Sequence, residues 1–314
     1  MKDLRILFMG TPDFAVEGLA KIIEAGYNVV GVVTAPDKPA GRGRKLNQSA
    51  VKKFALTKDL PVLQPTNLKS DDFETQLKSL KPNLQVVVAF RMLPTKVWKF
   101  PAYGTFNLHA SILPEYRGAA PINWAVINGE KTTGVTTFFI DDKIDTGNII
   151  QSKEIEIEAT ENVGSVHDRL MKLGGELIVD TLKLIEIGEV RTIPQNKEED
   201  PKPAPKLTRE NTKIDWSKDT ITIYNLIRGL NPYPAAWCYF QNDEKLNVKI
   251  FDCEIALKDH KEKVGKLSVE KYQIKVATKD GYILINEIQL PGKRKMKVKD
   301  LLNGLTVENE AYML

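Results

Sequence analysis

The chain has 314 residues, 42% of them hydrophobic and 27% charged, with two cysteines and a net charge of +4. That balance excludes a disordered or low-complexity chain, and two cysteines exclude both a disulfide framework and a cysteine-rich zinc site. The N-terminus carries only a short apolar run and no stretch of about 18–20 apolar residues follows, so a soluble, cytoplasmic protein without a membrane partner is expected.

Residues 4–9 are a short β-favouring run that stops at the turn formers Gly10, Thr11 and Pro12. Over residues 13–25 apolar side chains recur at helical spacing (Phe14, Val16, Leu19, Ile22, Ile23), and Gly26 closes that helix. Residues 28–34 read as a second strand, and further strands are expected at 84–90, 105–109 and 134–140. Helices are expected at 71–80 and 119–128. Strands alternating with helices predict βαβ units and a mostly parallel, Rossmann-like α/β sheet covered on both faces. Residues 151–157 alternate polar and apolar side chains, as an edge or antiparallel strand does, and 163–187 read as a long amphipathic helix.

Pro194, Pro201, Pro203 and Pro205 fall in a polar, charged stretch with little to bury, which reads as a linker over residues 190–206. It divides an expected catalytic domain (1–189) from a second domain (207–314). Beyond it a short helix (219–230) precedes β-rich runs at 236–240, 246–256, 265–268, 273–278 and 282–289, a pattern that suggests a small OB-like β-barrel. Residues 1–205 hold 26 basic and 26 acidic side chains, whereas 206–314 hold 19 and 15, so the whole positive excess lies in the second part. A basic excess of this size suits an anionic partner but is equally what a solvated surface shows.

The most unusual segment runs from Asn107 to Pro121. It places Asn107 and His109 at the end of an apolar strand, then a loop with Pro114 and Gly118 leads into a helix. Ligands of open α/β sheets bind beyond the carboxyl ends of strands, so chemistry is expected there. The alternative is a satisfied, partly buried imidazole beside a turn-forming asparagine. A later stretch carries Asp141, Asp142 and Asp145, the last before Thr146 and Gly147. A carboxylate beside an imidazole can orient it for acid–base work, although any of the three fits an ordinary turn. Near the N-terminus, Lys38, Arg42, Arg44 and Lys45 surround Gly41 and Gly43. Four cations on a glycine-containing loop suit a phosphate backbone, and the loop has neither Walker A spacing nor a dinucleotide fingerprint. A second basic run occupies residues 293–299.

The block from Asn107 to Pro121, with Asp145, Thr146 and Gly147, resembles the family of formyltransferases that use 10-formyltetrahydrofolate. The family pattern is an Asn–x–His pair, a Ser-Leu-Leu-Pro-like loop ending in Arg-Gly, and a later Asp before Thr-Gly. Two departures stand out: Ile112 replaces the usual Leu, and Arg91 stands where many relatives carry Gly. The resemblance implies acyl transfer, with Asn107 as an oxyanion donor, His109 as oxyanion donor or proton relay, and Asp145 orienting His109. It also implies that Ser111, Ile112, Leu113 and Pro114 form the folate loop, that 10-formyltetrahydrofolate is the co-substrate, and that no metal takes part. Residues 36–46, 204–216 and 227–237 further resemble the branch of the family that acts on initiator methionyl-tRNA. In that branch Arg42, Arg44 and Lys45 would grip the RNA, the second domain would bind it, and no obligatory protein partner is implied. Two alternatives remain at this point: a formyltransferase of a small amine such as an amino-sugar nucleotide, and a non-catalytic RNA-binding protein that kept the fold.

Overall fold

Alternation along the strands decides how the first sheet is covered. In β1 (Arg5–Gly10) Leu7 and Met9 point to one face and Phe8 to the other, and all three are fully buried. The computed structural model describes residues 1–40, 45–195 and 200–314. After β1 come α1 (Asp13–Glu24), β2 (Asn28–Val33), a short hairpin of β3 (Lys38–Ala40) and β4 (Lys45–Asn47), α2 (Ala50–Leu56) and β5 (Val62–Leu63). There follow α3 (Asp71–Leu80), β6 (Leu84–Val88), α4 (Thr95–Trp98), β7 (Thr105–His109), β8 (Arg117–Gly118), α5 (Pro121–Ile127) and β9 (Thr132–Phe139). Then come β10 (Ile149–Glu156), α6 (Val163–Ile187), β11 (Pro203–Ala204), α7 (Thr220–Leu230), β12 (Ala236–Gln241) and β13 (Lys245–Leu257). The chain continues through β14 (Leu267–Glu270), β15 (Gln273–Ala277), β16 (Gly281–Gln289), β17 (Met296–Lys297), α8 (Val298–Leu302) and β18 (Tyr312–Met313).

The first sheet runs β10-β9-β7-β6-β1-β2-β5, with β1, β2, β5, β6 and β7 parallel and β9 antiparallel to β7. This is the expected mostly parallel, Rossmann-like arrangement, and β10 forms its edge. On one face Leu7, Met9, Val33 and Val87 meet Phe73 and Leu77 of α3 and Val97 of α4. On the other, close approach is bought with glycine: a Cβ on Gly18 of α1 would stand 2.7 Å from Ile178 of α6, and one on Gly174 of α6 would stand 2.7 Å from Leu108 of β7. Ser49 and Ser70 cap α2 and α3 by accepting from the N–H of Lys52 and Phe73.

The second sheet, β14-β15-β16-β13-β12-β18 with β17 added on β16, is antiparallel in every pairing resolved. Its two ends meet, because Met313 N–H donates to Gly265 O and Leu267 N–H to Ala311 O. The result is the expected small barrel, nearly closed. Closure requires glycine at position 265, where φ is +82° and a Cβ would lie 2.3 Å from Met313 O. The interior is filled by Ile223, Ile227, Phe240, Val248, Ile250, Val276 and Ile285. The run at 293–299 covers a turn, β17 and the start of α8.

Two compact units emerge from the chain. One comprises Met1–Gly118, Thr133–Ile155 and His167–Pro203, and the other Ala119–Thr132, Glu156–Val166 and Ala204–Leu314. Among the described residues no helix is long and apolar enough to cross a membrane.

Candidate active site

Asn107 and His109 belong to β7, where a period of two places them on the same face while Phe106 and Leu108 face the opposite way. His109 is the last residue of the strand and is 94% buried, with relative exposure of only 6%. Its Nε2 lies 2.9 Å from the carbonyl oxygen of Tyr116. A carbonyl only accepts, so Nε2 carries the hydrogen and donates it. The other ring nitrogen, Nδ1, faces Asp145 Oδ2 at 3.8 Å. That is longer than a hydrogen bond and within ion-pair reach once Nδ1 is protonated. The same Oδ2 accepts the Gly118 N–H at 3.1 Å, which fixes the carboxylate. Among the described residues no group hydrogen-bonds the half-buried side-chain amide of Asn107, so its N–H donors are available to a ligand oxygen.

Of the three acids in the later loop, only Asp145 turns to the imidazole. Asp141 Oδ1 accepts from the Lys143 N–H at 3.0 Å and from Thr146 Oγ1 at 2.8 Å, so it shapes the turn. Asp142 is exposed and Thr95 Oγ1 donates to it at 3.4 Å. The glycine of the Asp-Thr-Gly sequence is sterically required, since a Cβ on Gly147 would fall 1.6 Å from Phe139 O. Three non-glycine residues around the site, Ala89, Tyr116 and Asp145, hold φ of 47°, 60° and 55°. Backbone held in this left-handed region costs about 1–3 kcal/mol per residue and concentrates where function constrains the chain.

The segment Ser111–Pro114 is pinned to β9. Thr136 Oγ1 donates to Ser111 O at 2.7 Å and accepts from the Leu113 N–H at 3.2 Å, while Ser111 Oγ donates to Glu115 O at 2.6 Å. Ser111 and Leu113 are therefore buried and hold the loop, whereas Ile112 and Pro114 keep partial exposure. Arg91 turns its guanidinium to the carbonyl oxygens of Thr66, at 3.0 Å, and Pro65, and so ties the loop after β6 to the segment after β5. Arg42 and Arg44 lie outside the described residues, and Lys45 opens β4, paired in register with Ala40.

Sequence reasoning missed Gln195, which sits in the proline-containing stretch. It is 8% exposed, and its Nε2 donates to Asp145 O at 3.0 Å and Gly147 O at 2.8 Å. Arg117 returns two hydrogen bonds to Gln195 Oε1, at 3.1 and 2.5 Å. The amide thus latches the loop that carries Asp145. A second network lies at the base of the basic hairpin. Lys52 Nζ donates to Asp37 Oδ2 at 2.6 Å and Gln64 Oε1 at 2.7 Å, and Gln64 Nε2 donates to Asp37 Oδ1 and Ala35 O, both at 2.8 Å. The Lys52 hydrogen bond, assisted by Gln64, holds the Asp37 carboxyl below its usual range. Among the described residues no group of three or more His, Cys, Asp or Glu is placed to hold a metal ion.

Residues 4–182 match the formyl transferase family, and residues 206–306 match the formyl transferase C-terminal domain. The chain belongs to the formyl transferase family. It is 58% identical over 312 residues to the methionyl-tRNA formyltransferase of Flavobacterium johnsoniae, covering 99% of both chains. It is 52% identical over 319 residues to the enzyme of that name from Bacteroides fragilis, covering 100% of this chain and 98% of the other. Among solved structures, the N-formyltransferase of Helicobacter canadensis, in complex with folinic acid and dTDP-3-aminofucose, aligns with a TM-score of 0.66 at 20% identity. That alignment covers 93% of this chain and 100% of the other. HypX from Aquifex aeolicus, in complex with tetrahydrofolic acid, aligns with a TM-score of 0.65 at 18% identity over 98% of this chain, which spans 49% of HypX. These two likenesses establish the shared formyltransferase fold.

Proposed function

We propose that the protein transfers the formyl group of 10-formyltetrahydrofolate to the α-amino group of methionine esterified to initiator tRNA. The observation that carries this reading is the end-to-end identity, at 50–58%, with methionyl-tRNA formyltransferases, through both the sheet and the barrel. The site geometry supplies the chemistry. The amine nitrogen attacks the formyl carbon, the C–N bond to the folate nitrogen breaks, and one proton passes from the amine to the departing nitrogen. Asn107 donates to the oxygen on which negative charge develops. His109 holds the travelling proton on Nδ1, where Asp145 faces it, while its Nε2–H stays committed to Tyr116 O. Asp145 is kept in place by Gly118 and by the Gln195 latch. Ile112 and Pro114 offer the folate a partly exposed wall on the rigid Ser111–Pro114 loop, and the residues around Arg42 and Arg44, with Lys45 and the basic stretch 206–314, contact the RNA.

The test is formylation by the purified protein with labelled 10-formyltetrahydrofolate, given charged initiator tRNA or an amino-sugar nucleotide in parallel. Label is expected on methionyl-tRNA. Label on the amino sugar alone overturns the reading. Binding of tRNA without formyl transfer would instead favour a non-catalytic role.

A further inference from the structure

The register of the first sheet sets Thr11 and His109 at the same level. Gly10 of β1 is opposite Val88 of β6, Val88 is opposite Leu108 of β7, and all three strands are parallel. The residues that follow, Thr11 and His109, therefore stand side by side at the carboxyl edge, two strand spacings or about 10 Å apart. Thr11 opens a cavity of about 610 Å³ between the start of α1 and the segment from Asn47 through α2. This volume lies within the range of small-molecule sites.

The lining has a definite chemistry. Phe54 contributes a half-buried ring, Asn47 and Gln48 contribute amides, Asp13 a carboxylate and Lys53 an exposed ammonium. The polar atoms of Asn47, Gln48, Asp13 and Lys53 are not engaged by another described residue, and Lys58 Nζ lies 5.8 Å from the centroid of the Phe54 ring. An aromatic face stacks a base, amides pair with base edges, a carboxylate accepts from a ribose hydroxyl, and an ammonium meets phosphate. One wall is firm, because the hairpin that ends at Asn47 is anchored by the Asp37–Lys52–Gln64 network.

We propose that this cavity seats the 3′-terminal adenosine of the acceptor RNA, an inference that rests on the function proposed above. The methionyl ester joins that adenosine to the amine that must reach His109, and the backbone separation of about 10 Å between Thr11, in the cavity lining, and His109 sets the span that the aminoacyl ester has to bridge. Phe54 stacks on the adenine, Asn47 and Gln48 read its edge, Asp13 takes the free ribose hydroxyl, and Lys53 neutralises the last phosphate.

The test pairs binding with kinetics. AMP is titrated calorimetrically into the wild-type protein and into Phe54→Leu and Lys53→Ala, and formylation of methionyl-tRNA is measured for each, with thermal melts to check folding. AMP is expected to bind the wild type and to compete with methionyl-tRNA. Phe54→Leu, which keeps an apolar side chain and loses the π-face, should weaken AMP and raise KM for methionyl-tRNA by about tenfold, leaving KM for the folate unchanged. Wild-type KM for methionyl-tRNA in both folded variants, or AMP that does not compete, overturns the proposal. A wild-type protein that formylates no methionyl-tRNA overturns the functional reading, and AMP binding lost in Phe54→Leu would then still support a nucleoside site.

Discussion

Replacing Gln195 by leucine should separate the position of Asp145 from its identity. The leucine keeps roughly the same buried volume and removes four hydrogen bonds: two to the carbonyls of Asp145 and Gly147 and two from Arg117. Neutral hydrogen bonds contribute about 0.5–1.5 kcal/mol each and those from a charged group about 1.5–3, and the guanidinium is left without its partner. We therefore expect a loss of about 3 kcal/mol in stability, seen as a fall of several degrees in Tm. The kinetic effect should be larger than folding loss explains. With the latch gone, the loop carrying Asp145 at φ 55° can relax away from the imidazole, and a displacement of about 1 Å in a catalytic constellation costs on the order of 100-fold. The assay is kcat at saturating folate and methionyl-tRNA, well below the melting temperature of the variant. A Gln195→Leu protein that is folded and turns over at the wild-type rate would refute the latch.

Three further outcomes follow from the geometry. His109→Ala and Asp145→Asn should each lower kcat by about 10²–10⁴ while methionyl-tRNA binding, read by filter retention, stays near the wild-type value; undiminished turnover in Asp145→Asn would remove the carboxylate from the mechanism. Both thiols are buried, and desolvation pushes Cys238 up to about 12 and Cys253 higher still, so neither should react with iodoacetamide at pH 8 until the protein unfolds; rapid labelling of the native protein would contradict the barrel core. Asp37 is held below its usual value by Lys52 and Gln64, so its stabilising contribution is present above the ordinary carboxylate pKa of about 4 and is lost as pH falls through the depressed value. Asp37→Asn should therefore show a shallower loss of Tm on acidification below about pH 4, and an acid limb identical to wild type would mean the network is not coupled to folding.

The longer elements were legible because their patterns repeat several times. Strand β7 covers the expected residues 105–109, where Phe106 and Leu108 alternate with polar side chains, and α6 carries a 3.6-residue period over its full length. Elements of two or three residues, such as the strands of the β3–β4 hairpin, contain hardly more than one repeat, too few for a period to be recognised. At the site, Asn107 and His109 could be placed together because strand alternation is a local rule. The choice among Asp141, Asp142 and Asp145 could not be made from the residues alone, since it depends on a loop whose path is dictated by the collision that Gly147 avoids with Phe139. Gln195 was invisible for a related reason. Its neighbours in sequence are prolines and charges typical of a connection, and its partners lie 48 to 78 positions away. Proline marks where a helix or a central strand is interrupted, and says nothing about whether the residue beside it is buried.

The interleaving of the two units also bears on how such a gene can be cut and recombined. The barrel unit owns α5 and the segment Glu156–Val166, both encoded within the stretch that otherwise builds the sheet. In α7, Gly229 lets the helix approach Ile127 so closely that a Cβ would come within 2.6 Å, and Asn123 of α5 donates to Gly229 O at 2.8 Å. A fragment starting at residue 204 would carry α7 with that apolar seam stripped and a buried carbonyl uncovered. The barrel unit is thus not a cassette that one crossover could graft elsewhere. It has to move together with the segments 119–132 and 156–166 that lie within the stretch building the sheet, and chimeras that respect only the chain order should lose solubility on expression.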